Sequence, residues 1–134
     1  MKFIFPFLII VSLLLTGCDP LRRINMKNRS GGEAMIIWTI KTDSINSSPF
    51  FLSSDTEVKF ELKAEKPQNE IYMSFGVGTW TPTVLNKLVD DLESLVIRWN
   101  HHELKIESED GIKNFLMPRR KGLGKRKIEI TIRD

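Results

Sequence analysis

The chain has a single cysteine, Cys18, so no internal disulfide can form and the fold must rest on packing alone. It has two histidines, His101 and His102, which are adjacent. Neighbouring residues in a hairpin point to opposite sides, and no second cysteine stands at a spacing that would complete a zinc set. The pair therefore reads as a turn, not as a metal site. No apolar run reaches the roughly 20 residues that a helix needs to cross a bilayer core. There is no Gly-x-x-x-x-Gly-Lys-Ser/Thr loop, no Gly-x-Ser-x-Gly elbow and no other cofactor motif. Charge of one sign is also scarce: 20 Lys and Arg against 17 Asp and Glu give +3, a balance too small to predict a partner by itself. Catalysis has no positive signal. A hydrolase with an unrecognised site stands only as an alternative to a binding role, and a pocket joining His101 or His102 to a buried carboxylate would strengthen it.

Hydrophobic residues make up 41% and charged residues 28%, the composition of a globular body that stays in water. The first eighteen residues differ from the rest. Met1 and Lys2 form a short basic start, and residues 3–15 are apolar apart from Pro6 and Ser12. The run then closes with Leu15-Thr16-Gly17-Cys18. At 13 residues the apolar centre is too short for a permanent span and has the length of a secretory signal.

This segment resembles the signal and lipobox of bacterial lipoproteins, a likeness that covers about the first twenty residues. It implies cleavage between Gly17 and Cys18, a diacylglycerol on the Cys18 thiol and often an acylated amine. Two or three acyl chains anchor stably where one is marginal. The expected organisation is a cleaved leader over 1–17, a lipidated cysteine with a short tether over 18–20, and one β-rich domain over 21–134. The resemblance further implies a place in the cell envelope, facing the periplasm. Asp19 resembles the inner-membrane retention signal of enteric bacteria, but sorting rules differ between lineages, which leaves the choice of membrane open. Beyond the leader, the body looks like small envelope lipoproteins of no assigned activity.

Within the body, Ile24 and Met26 alternate with Arg23, Asn25 and Lys27 in a half-buried strand. Arg22, Arg23, Lys27 and Arg29 precede the first acid of the body, Glu33, apart from Asp19 beside the cysteine. They read both as the solvated face of that strand and as attraction for anionic head groups, at about 1 kcal/mol each. Residues 34–41 are apolar on both faces, which predicts a strand in the middle of a sheet. Residues 42–56 read as a long loop with Phe50 and Phe51 as an aromatic plug or contact patch. Val58, Phe60 and Leu62, then Ile71, Met73, Phe75 and Val77, alternate cleanly, and the two runs are expected to pair antiparallel.

Thr81 and Pro82 open a helix that carries Leu85, Leu88, Val89 and Leu92 on one face. Asp90 and Asp91 point about 100° apart on it and read as a solvated face, not an acid pair. A hairpin over 95–107 turns at Asn100-His101. Ser108 caps a second helix with Ile112, Phe115 and Leu116 inward, and residues 127–133 form the last strand. Trp38 and Trp99 are expected in the core. Trp80, in a glycine-rich loop, is the best candidate for an exposed aromatic.

The densest charge lies over 119–127, where Arg119, Arg120, Lys121, Lys125, Arg126 and Lys127 surround Gly122-Leu123-Gly124 with no acid among them. Such a run serves as a solvated connector or as a contact for anionic lipid or glycan. Nucleic acid is not expected as a partner, because basic and aromatic residues do not interleave on paired strands. About seven strands with two helical connections favour a mainly β fold, a β-sandwich. An α+β arrangement with the helices on one face of a single sheet is the alternative. For function, the expectation is a lipid-anchored, non-catalytic envelope protein that binds or scaffolds an envelope partner. A module binding anionic lipid or glycan through the basic loop is the second reading.

Overall fold

A computed structural model of the chain describes residues 21–44 and 56–134. Among these residues, eight strands form two four-stranded sheets. The first has the order β4(Glu70–Val77), β1(Leu21–Arg29), β8(Lys127–Arg133), β7(Arg120–Lys121). The second has the order β3(Glu57–Leu62), β2(Ala34–Ile40), β5(Leu92–Trp99), β6(His102–Ile106). The fold is mainly β and sandwich-like, as the alternating apolar faces predict. Ile24, Met26, Ile128 and Ile130 of the first sheet join Ile36, Trp38, Leu62 and Leu95 of the second in one core. β2 lies between β3 and β5, which accounts for its apolar residues on both faces: Ile37 is buried on the outer face opposite Val96.

Each helix connects one sheet to the other. α1(Pro82–Asp90) leads from β4 to β5, and α2(Glu109–Leu116) leads from β6 to β7. Thr81 Oγ1 accepts the Val84 N–H at 3.2 Å, Pro82 occupies the first turn, and Leu85, Leu88 and Val89 are buried. The helix is shorter than its apolar spacing suggests. It stops at Asp90, and Leu92 opens β5 instead of extending the helical stripe, because the Asp91 carbonyl accepts the Lys41 N–H at 2.9 Å and draws the chain into the second sheet. Ser108 Oγ caps α2 through the Gly111 N–H at 3.0 Å. Both helices pack together at the end of the sandwich where β1 begins and β4 finishes.

The antiparallel pair expected from 58–62 and 71–77 does not form. β3 pairs with β2, β4 pairs with β1, and the two strands lie in different sheets. The chain crosses between sheets twice at this opposite end, from β1 to β2 and from β3 to β4. Asn28 fastens both crossings: its side-chain amide donates to the carbonyls of Gly32 at 2.6 Å, Leu62 at 3.2 Å and Lys63 at 3.1 Å, and its oxygen accepts from Ser30 Oγ at 2.8 Å. A buried amide satisfied in this way favours the crossing over a local hairpin, since a buried polar group left unpaired is costly. β1 and β8, the first and last strands, run parallel in register from Arg23 opposite Lys127 to Arg29 opposite Arg133.

Candidate functional site

The basic segment is held to the body at its two flanks. After a 3-10 turn at Met117–Arg119, Arg120 and Lys121 form β7 opposite Ile128 and Lys127. Gly122 (φ 83°) and Gly124 (φ 71°) then allow a tight turn around Leu123, in the left-handed region that glycine enters without steric cost. Main-chain bonds hold the turn to the sheet. The Arg23 N–H donates to the Arg126 carbonyl at 3.0 Å, and the Trp80 N–H donates to the Lys125 carbonyl at 2.8 Å. Both readings of the segment remain open: residues 121–125 are exposed, while its two flanks are held to the body by main-chain bonds.

Six cations of one run thereby acquire different roles. Arg119 lies 3.6 Å from the Phe115 ring centroid and donates to the Phe115 carbonyl, and burial lowers its pKa from the usual guanidinium value. Arg120 donates to the carbonyls of Met117 and Trp80, both at 2.9 Å. Arg119 thus closes the last turn of α2, while Arg120 ties β7 to the approach to α1. Lys121 and Lys127 stand 3.6 and 3.3 Å from the Glu129 carboxylate, which Lys27 also approaches at 3.5 Å. Burial would raise the Glu129 pKa, but the hydrogen bond from Lys127 and the charges of Lys27, Lys121 and Lys127 outweigh it and hold the carboxyl below its ordinary range. Lys125 and Arg126 make no ion pair or side-chain hydrogen bond among the described residues. Leu123, two residues before Lys125, is 90% exposed.

The start of β1 lies beside this tip. Arg23 is exposed, with its guanidinium 5.6 Å from the Tyr72 ring centroid. Arg22 turns inward: it donates to the carbonyls of Phe75 at 3.3 Å and Val77 at 2.8 Å and lies 5.3 Å over the Trp80 ring. Trp80 is the clearest departure from the sequence reading. It is 1% exposed, not solvent-facing, because Arg22 and Phe75 cover its ring and its indole N–H donates to the Arg23 carbonyl at 3.0 Å. Beside it, between β4 and α1, lies a cleft of about 330 Å³ lined by Arg22, Phe75, Trp80, Val84, Lys87 and Asp91.

Other sequence candidates lie elsewhere. Cys18 and the Phe50-Phe51 pair fall outside the described residues. His101 and His102 are exposed at the tip of the β5–β6 hairpin, with the His102 ring 5.3 Å from that of Trp99. Asp90 and Asp91 end α1 at the second sheet. Among the described residues no group of three or more His, Cys, Asp or Glu is placed to hold a metal ion. Of the basic residues near the start of the body, Lys27 is committed to Glu70 and Glu129, and Arg29 lies at the far end of β1.

Sequence reasoning passed over Leu123, although its flanking glycines mark a tip, and Leu21, and it set Val77 in the inward alternation of Ile71, Met73 and Phe75. Leu21, Tyr72, Val77 and Leu123 are the large hydrophobic residues left exposed among the described residues. Comparison with protein-family models, curated proteins and solved structures finds no match to the chain.

Proposed function

We propose that the protein is a lipid-anchored, non-catalytic component of a bacterial cell envelope, held to a membrane through an acylated Cys18 and binding or scaffolding a partner there. The reading rests on one observation above all: the lipobox ends a signal-like segment, and strand β1 opens at Leu21, three residues beyond Cys18. A chain covers at most about 3.6 Å per residue, so the anchor and the folded body are close neighbours. No helix among the described residues is long and apolar enough to cross a membrane. The body faces the periplasm in this reading, and inner and outer membranes are equally compatible with it.

Mass spectrometry of the mature N-terminus tests the anchor. The expected product begins at Cys18 and carries acyl chains; an unmodified cysteine, or retained residues before it, rejects the proposal. Crosslinking in the native cell then identifies the envelope partner. A second reading, contact with anionic lipid or glycan through the 119–127 segment, is favoured by the bond between Arg23 and Arg126, which sets that segment beside the start of the body.

A further inference from the structure

From the outer face of the β4-β1-β8-β7 sheet at the start of β1, we infer that this face, with the Leu123 tip, is a docking surface that lies against an anionic phospholipid bilayer. The inference rests on the lipid-anchor reading and adds to it an orientation and a set of contact residues.

The four exposed large hydrophobic residues gather in this one region. Leu21 and Val77 face each other across β1 and β4, 52% and 51% exposed. Tyr72 is 61% exposed on β4, and Leu123 stands on the turn between β7 and β8. Single exposed apolar residues are ordinary, but a gathered set rimmed by polar groups marks an interaction site. Here the rim is cationic: Arg23, Lys125 and Arg126 surround it, with Lys121 and Lys127 only partly neutralised by the shared Glu129. The acids on the other side of the same end are in part paired with lysines, Glu57 with Lys59 and Glu109 with Lys41. Glu57 opens β3, Asp90 and Asp91 end α1, and Glu109 begins α2 against Lys41 of the second sheet.

A negatively charged surface therefore attracts the side that carries Arg23, Lys125 and Arg126, which sets how the body lies. The occupant follows from distance and charge. Cys18 is three residues from Leu21, at most about 11 Å of chain, so an acylated Cys18 brings head groups to this face before any other ligand. Leucine and tyrosine side chains enter the head-group boundary, while lysine and arginine stay with the phosphates.

The test uses the lipidated full chain reconstituted into vesicles of phosphatidylcholine, alone or mixed roughly three to one with phosphatidylglycerol. An acylated Cys18 leaves a new cysteine as the one free thiol, so Leu123→Cys and, as a far-end control, His101→Cys are each labelled with an environment-sensitive dye. The expected result is a blue-shifted label at position 123, shielded from an aqueous quencher in the anionic vesicles, and a fully accessible one at position 101. Adding Lys125→Ala and Arg126→Ala weakens the docked state by about fivefold per charge removed, and high salt does likewise as the screening length shrinks to about 3 Å. Equal quencher access at both positions in anionic vesicles overturns the docking surface while leaving the anchor intact. Dye uptake at Cys18 in the unsubstituted chain overturns the anchor and the docking surface with it.

Discussion

The indole N–H of Trp80 donates to the main-chain carbonyl of Arg23 at 3.0 Å, and through it the approach to α1 is fastened to the first strand. The ring is buried between Phe75 and the Arg22 guanidinium. Trp80→Ala should cost about 3–5 kcal/mol, the range for truncating a buried large aromatic residue. Trp80→Phe keeps most of the ring contact but leaves the Arg23 carbonyl without its donor, at about 1–3 kcal/mol. Urea midpoints at constant slope measure both, and an unshifted midpoint for Trp80→Phe would count against this bond as a fastening.

Asn28 makes a second prediction at the other end of the sandwich. Its amide serves the carbonyls of Gly32, Leu62 and Lys63, which belong to two separate crossings. Asn28→Ala should lose about 1–3 kcal/mol because those carbonyls remain in a buried setting. Asn28→Asp should be worse at neutral pH, since it presents a carboxylate to three acceptors. Hydrogen exchange at Lys63 and Ser30 reads the local effect; if Asn28→Asp matched the parent in stability, the role given to this amide would be wrong.

The Glu129 carboxyl titrates below its ordinary range in the folded state. The unfolded chain has the usual value of about 4.3. The group therefore contributes stability that is present above that pH and is lost as the pH falls through the depressed folded value. Glu129→Gln should be less stable than the parent at neutral pH, with Lys27, Lys121 and Lys127 left facing one another, and the two proteins should converge on acidification. Thermal melts from neutral pH to pH 3 check this. A gap that stays constant across the acid limb would assign the effect to packing instead of charge.

Gly111 offers a case in which helix propensity and packing oppose each other. Alanine in a helix is favoured over glycine by about 1 kcal/mol. A Cβ at 111, however, would stand 2.7 Å from both Ile106 Cγ2 and the Ser108 oxygen that caps the helix. Gly111→Ala is expected to lower stability by about 1–3 kcal/mol, the usual cost of forcing an extra carbon into a packed site. A rise in melting temperature would mean that Ile106 yields and propensity prevails.

Local structure was legible because it is carried by spacing. Val58, Phe60 and Leu62 alternate, Leu85, Leu88 and Val89 follow the helical period, and Thr81 and Ser108 stand where caps belong; each of these elements forms. Sheet membership was legible only in part: the 95–107 hairpin and the central place of β2 form as expected, but the partners of β3 and β4 do not. β3 and β4 satisfy alternation equally well as a hairpin or as strands of facing sheets, and the choice is made by β1, β2 and the Asn28 amide, which are distant in sequence. The basic segment was visible as charge, but its division into Arg119 and Arg120 bonded to main-chain carbonyls, Lys121 and Lys127 around Glu129, and Lys125 and Arg126 without an ion pair among the described residues depends on tertiary partners that spacing does not encode. Trp80 was misread for the same reason: glycines nearby suggest a loop, whereas burial is set by Arg22 and Phe75.

The parallel pairing of β1 with β8 joins strands roughly a hundred residues apart in sequence. The first sheet therefore lacks one of its two inner strands until β8 is made. The second sheet has all four of its strands before β8, whereas closure of the first sheet is postponed until β8 has arrived. Such high contact order favours slow folding, so deleting residues after Lys127 should leave the first sheet open to proteases.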